Sequence, residues 1–224
     1  MRTAYHLELD QLIDRLATVT GLVDMAMVRA TTALLSADVP LAGRVIGDEP
    51  VIDDLLRKLD SHAVNLVARQ QPVARDLRTI VAALRIAADL SRMARLCVHI
   101  AEVARRYPEG AVPPALRDIV VHIGDVAQSL VCKAKLAIRT RSPAMATELR
   151  HADDEMDHLQ EVLYWSLLAG DCGYPTSTAI DVTLIGRYYE RYADHAVALA
   201  EHIAYLAGIG ELDETRRPPR SLAG

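Results

Sequence analysis

The chain has 224 residues, enough for one large domain or two small ones, and 51% of them are hydrophobic, which allows a sizeable core. Aromatics are only 4% and Phe is missing, so that core must be filled by Leu, Val, Ile, Met and Ala, which suits helices packed side by side. A net charge of −5, with no basic cluster denser than Arg216, Arg217 and Arg220, argues against nucleic acid as the main partner.

Proline and glycine divide the chain into six long segments, read as helices over about residues 3–37, 40–69, 73–107, 114–141, 143–169 and 175–208. The first carries Leu9, Leu12, Leu16, Val19, Val23, Ala26, Ala30, Ala33 and Ala37, in steps of three and four that form a heptad seam. It opens MRTAYHLELD, polar and acidic at once, without the apolar stretch of a secretory signal. No run in the chain approaches the ~18 consecutive apolar residues of a membrane span, so a cytoplasmic protein without membrane insertion is expected.

The second segment repeats the seam at Ile52, Leu56, Leu59, Ala63 and Leu66, and the third at Leu84, Ala87, Ser91, Ala94, Val98 and Ala101. The fourth has Leu116, Ile119, Ile123, Val126 and Leu130. The fifth starts with Ser142 as an N-cap before Pro143 and continues through Leu149, Ala152, Met156, Leu159 and Leu163. The sixth runs Ala179, Thr183, Gly186, Glu190, Ala193, Val197 and Ala200 and stops at Gly208 and Gly210. The tail, ELDETRRPPRSLAG, has no apolar period and is expected to be disordered. Cys97, Cys132 and Cys172 are far apart and form no CxxC; reduced, mostly buried thiols are expected.

Helices of this length, about 40–50 Å, joined by short connections must pack antiparallel as a bundle. The third and sixth segments also overlay, with Ser91 on Glu190, Ala94 on Ala193 and Glu102 on Glu201. The expectation is an all-α tandem of two pseudo-symmetric three-helix units, residues 1–110 and 111–210, followed by the tail at 211–224.

Carboxylates stand on these seams. Glu190 lies in a line of small residues on the sixth helix, where backbones approach closely, and Asp194 is one turn on. Asp153 and Asp157 flank Met156 on the fifth, and Glu49 and Asp53 take the equivalent place on the second. Paired like charges at a seam require a cation or protonation. Two such pairs on facing helices would give an oxygen-only site for a hard cation or a carboxylate-bridged cluster. Ion pairs within the helix, from Arg187 to Glu190 and from Arg191 to Asp194, would satisfy the same acids without metal. Glu148, His151, Glu155 and His158 form two ExxH sequences, but on one helix, so they cannot face each other as in a di-iron bundle. His195 reads as an interfacial histidine or a ligand. No GxSxG, Walker A, HExxH or GxGxxG sequence is present.

The chain resembles the PhoU family of phosphate-signalling regulators, and most closely its PhoY-type branch. The resemblance covers about residues 1–208 and rests on Gln71-Pro72-Val73-Ala74-Arg75-Asp76-Leu77-Arg78 opening the third helix and Glu190-Arg191-Tyr192-Ala193-Asp194-His195-Ala196 in the sixth. It implies a PhoU-like tandem bundle without catalysis of its own. The implied role is a negative regulator of phosphate uptake and of the phosphate-responsive two-component system. Its implied partners are the ATPase subunit of the phosphate ABC transporter and the sensor histidine kinase, which it would join as an adaptor.

The resemblance also implies a homodimer that sits at the inner face of the membrane through its partners, and iron or another divalent metal bound by E(D)xxxD motifs. Carried over by position, the metal ligands are Asp153, Asp157, Glu190 and Asp194 in the second unit. In the first unit only Glu49 and Asp53 remain, because the third helix reads Ser91-Arg-Met-Ala-Arg95 where the family has ERxxD; that site is expected to be degenerate, with Arg95 paired to Glu49 or Asp53. Arg75, Asp76 and Arg78 are exposed candidates for a partner surface, with helix-start capping and ion pairing as their other reading. Rival functions are a metal-dependent carboxylate-bridged enzyme and a purely structural helical adapter.

Overall fold

The heptad seam of the first segment becomes helix α1, Arg2–Ser36, and ends at a turn that its sequence does not advertise. Ala37 adopts a positive φ of 54°, and the Asp38 N–H reaches back to the Ala33 carbonyl at 3.1 Å, closing the helix end as glycine usually does. Asp38 then caps the next helix: its Oδ1 accepts the Leu41 N–H at 2.8 Å. The chain therefore reverses within two residues into α2, Val39–Gln70, which carries Pro50 in its interior.

The computed structural model describes residues 2–70, 72, 74–140, 144–169 and 174–206. The remaining helices are α3 (Ala74–Arg106), α4 (Arg117–Thr140), α5 (Ala144–Leu168) and α6 (Thr176–Leu206), and among the described residues there is no strand. The fourth helix starts later than its seam suggested, because Pro114–Leu116 form a 3₁₀ turn ahead of it. Ser142, Pro143, Gly208, Gly210, Cys172 and the tail lie outside the described residues.

Each three-helix unit packs on itself, α1 with α2 and α3, α4 with α5 and α6. The units meet along α1–α4 and α3–α6. Across the first contact Thr31 faces Gly124, Asp24 faces Cys132 and Gly21 faces Lys135, so the helices run antiparallel. Across the second, Asp89 meets His195 and His202 while Arg106 meets Asp181, again antiparallel. Ala94 and Ala193, matched by the internal repeat, lie between these end contacts and are both buried.

The tandem plan thus holds in space. The buried residues form one continuous core of Leu, Ile, Val, Ala and Met, with Tyr189 and Tyr192 as its large fully buried rings. Both tyrosines reach from α6 to α1: the Tyr189 hydroxyl lies 2.7 Å from Thr31 Oγ1, and the Tyr192 hydroxyl donates to the Val23 carbonyl at 3.5 Å.

Two expectations are corrected. Among the described residues α1 is long and apolar enough to cross a membrane over Tyr5–Ser36, although no unbroken apolar run marks it. Its Leu12, Leu16, Val23, Met27, Ala30 and Ala33 are all buried in the bundle. Of the cysteines, Cys97 is a buried free thiol, as expected, whereas Cys132 is exposed and lies 3.7 Å from an Asp24 carboxylate oxygen.

Candidate functional site

In the first unit, Glu49 and Asp53 project from successive turns of α2 toward α3. Pro50 between them removes one backbone donor from the helix, leaving the Ile46 carbonyl without its usual partner. From α3, the Arg95 guanidinium bonds Glu49 Oε1 at 2.8 Å and lies 3.9 Å from Asp53 Oδ2. The Ser91 hydroxyl donates to Asp53 Oδ1 at 3.1 Å. Both acids therefore meet donors from the two positions where the second unit carries acids, and the expected pairing of Arg95 is seen. The residues present do not fit a metal here: the Arg95 guanidinium already faces both carboxylates.

In the second unit, Glu190 is held on α6 with its side chain only 16% exposed, because Gly186 one turn earlier lets α5 come close enough for Leu163 to crowd the helix backbone. Arg187 Nη1 lies 2.5 Å from Glu190 Oε2. Oε2 is enclosed, with the Arg187 guanidinium as its ion-pair partner. Close contact with Glu190, and then the charges of Asp194 and Asp157, push the Arg187 pKa further up. So Asp157 on α5 and Glu190 and Asp194 on α6 share one electrostatic neighbourhood, although Asp157 and Asp194 are themselves exposed.

The Asp153 side chain lies outside the described residues. Among those described, no three His, Cys, Asp or Glu side chains converge into a metal-holding group. The donor chemistry is oxygen-only, as a hard cation takes, although the buried Glu190 oxygen is already paired with Arg187. Arg191 is exposed, and the ion pair expected from it to Asp194 is not among those formed by the described residues. The ExxH acid Glu155 faces α4, 3.2 Å from His122 Nε2.

The third-helix candidates divide. Arg75 is exposed, and its carbonyl accepts the Thr79 hydroxyl at 3.1 Å. Asp76 is half-buried and lies 3.8 Å from His6 Nε2, and Arg78 is half-buried with its Nε enclosed and without a hydrogen bond. The expectation that all three are exposed is thus corrected to one of them. Gln71 and Val73 of the opening motif lie outside the described residues.

Sequence reasoning missed the polar seam between the units. Asp89, 6% exposed, accepts hydrogen bonds from His195 Nδ1 at 3.0 Å and His202 Nε2 at 3.1 Å, with Arg92 Nη1 at 3.6 Å. Burial alone would raise its pKa, but the bonds and charges of the two histidines hold it down to about 2. At the other end of the seam, Asp181 accepts from the Tyr107 hydroxyl and from Arg106. The His99 and Tyr188 rings stack between them at 5.2 Å. The available signal was a lone acid in the apolar run Ala87-Ala88-Asp89-Leu90. His195 is thereby an interfacial histidine.

The PhoU-domain family model matches residues 10–104 and 120–203. A curated Mycobacterium tuberculosis protein, "Phosphate-specific transport system accessory protein PhoU homolog 2", is 41% identical over 208 residues, covering 92% of this chain and 98% of that one. The PhoU homolog of Rhizobium meliloti is 30% identical over 218 residues, covering 96% and 92%. Among solved structures, PhoU from Pseudomonas aeruginosa superimposes with a TM-score of 0.85 at 28% identity, covering 91% of this chain and 99% of that chain. The Streptococcus pneumoniae phosphate transport system regulatory protein PhoU has a TM-score of 0.84 at 21% identity, covering 93% and 98%, and shares the fold.

Proposed function

This chain belongs to the PhoU family, and we propose that it is an accessory protein of phosphate-specific transport that regulates without catalysis of its own. In this reading it restrains phosphate uptake and the phosphate two-component response when phosphate is plentiful. It does so as a cytoplasmic adaptor, and as a homodimer, between the transporter ATPase subunit and the sensor histidine kinase. The observation that carries the reading is similarity along nearly the whole chain to a relative named for that accessory role. The motifs at Gln71–Arg78 and Glu190–Ala196 support the PhoY-type branch. The bundle suits an adaptor because one core runs through both units, and its long faces remain for partners.

In the second unit, residues 111–210, Asp153, Asp157, Glu190 and Asp194 would hold iron or another divalent cation. A bound cation would neutralise the acids and tie α5 to α6. Glu190 would be the anchoring ligand, being held by packing with its side chain largely buried. Arg187 is its counter-ion here, and a bound cation would take over that role. Arg75, on the first unit, 1–110, belongs to the partner surface.

The test is binding of the purified full-length chain to the ATPase subunit and to the cytoplasmic part of the kinase, each immobilised. Saturable binding to both is expected, with Arg75→Glu weakening at least one about tenfold. Binding to neither would overturn the adaptor role.

A further inference from the structure

We propose that Arg95 is the resident cation of the first unit, so that the α2–α3 carboxylates are neutralised by the protein itself and recruit no metal. The internal repeat carries the comparison. Glu49 and Asp53 stand where the second unit has Asp153 and Asp157, while Ser91 and Arg95 stand where it has Glu190 and Asp194. Four acids in one half become two acids, a hydroxyl and a guanidinium in the other.

The geometry completes the exchange. Arg95 bonds Glu49 at 2.8 Å and sits 3.9 Å from Asp53, and the Ser91 proton goes to the remaining Asp53 oxygen at 3.1 Å. The Glu49 side chain is only 18% exposed, so its charge is poorly served by water and needs that partner. A guanidinium stays charged at every accessible pH and spans two carboxylates with its fork of donors. It is also tethered, so it pays no translational entropy that a free ion must pay on binding. A divalent ion entering between α2 and α3 would meet a hydroxyl and a positive charge in place of two of its ligands. Arg187 differs, because it precedes Glu190 by three residues and leaves all four acids of its unit in the sequence. The contrast with the second unit rests on the metal reading proposed above, but the exclusion of metal from the first does not.

The experiment measures bound Mn²⁺ per chain, by calorimetry and by loss of the free-ion electron paramagnetic signal, on untagged full-length protein. The E49Q/D53N variant is expected to bind as much Mn²⁺ as the wild type, and a loss would overturn the proposal. S91E/R95D, which restores four acids, is expected to gain about one Mn²⁺ per chain; a folded variant that gains none would overturn it. Should four acids prevent folding, as circular dichroism would show, Arg95→Ala replaces that variant. Its melting temperature is expected to fall without metal and to recover in millimolar Mn²⁺, and no recovery would count against Arg95. E190Q/D194N separates the two claims: if the wild type binds no Mn²⁺ for that variant to lose, the second-unit reading fails, while S91E/R95D still decides the role of Arg95.

Discussion

Asp89 shows what one buried charge does in this bundle. Its folded pKa of about 2 lies below the ordinary carboxylate value of 3.8. A depressed acid contributes stability that is fully present above its unfolded pKa and is lost as pH falls through the folded value. The shift corresponds to about 2 kcal/mol, withdrawn between roughly pH 4 and pH 2. Asp89→Asn should therefore lower unfolding free energy at neutral pH by about 2 kcal/mol and flatten the acid limb of the stability curve, measured by urea unfolding at stepped pH. An unchanged acid limb would show that the histidine bonds do not hold the charge. Only the acid itself was legible in the sequence, as a charge within an apolar run; its partners were not. The partners stand 106 and 113 residues away, and a helix pattern records its own face but not what lies opposite. Arg95 was legible because the repeat supplies its own comparison: a cation where the other half has an acid.

At the level of helices, periodicity predicted the seams well, since burial in a bundle follows the three-and-four spacing that sequence displays. The ends were less visible. Ala37 closes α1 in a left-handed conformation that costs a residue with a Cβ, and alanine gives no hint of it. Ala37→Gly should raise stability by about 1 kcal/mol, seen as a higher urea midpoint at unchanged slope. Close approach between helices sets a second constraint. A Cβ on Gly124 would stand 2.8 Å from Thr31 Cγ2, beside the hydroxyl that pairs with Tyr189. Gly124→Val should then cost about 1–3 kcal/mol by forcing α4 away from α1, and Thr31→Ala should relieve part of that loss in the double variant. Equal losses in the single and double variants would place the strain elsewhere. Glu190 owes its burial to the same kind of approach at Gly186, which the run of small residues along α6 did announce.

Across the whole molecule, two helical units share a plan and differ in charge. Their join is more polar than either interior, with Asp89 and Asp181 at opposite ends of α3–α6 and a stacked His99–Tyr188 pair between them. Such a seam fixes the register of the units as well as their contact, because a shift by one turn would strand two buried acids. The duplicated fold was legible from the matched third and sixth helices, and the family resemblance carried the functional reading; the polar join had no counterpart in either. The most direct measurement of the regulatory role is a phosphate-response reporter, followed in phosphate-rich medium after deletion of this gene and after its return. The response should rise on deletion and fall again with the wild-type gene. A reporter that stays low after deletion would contradict the role.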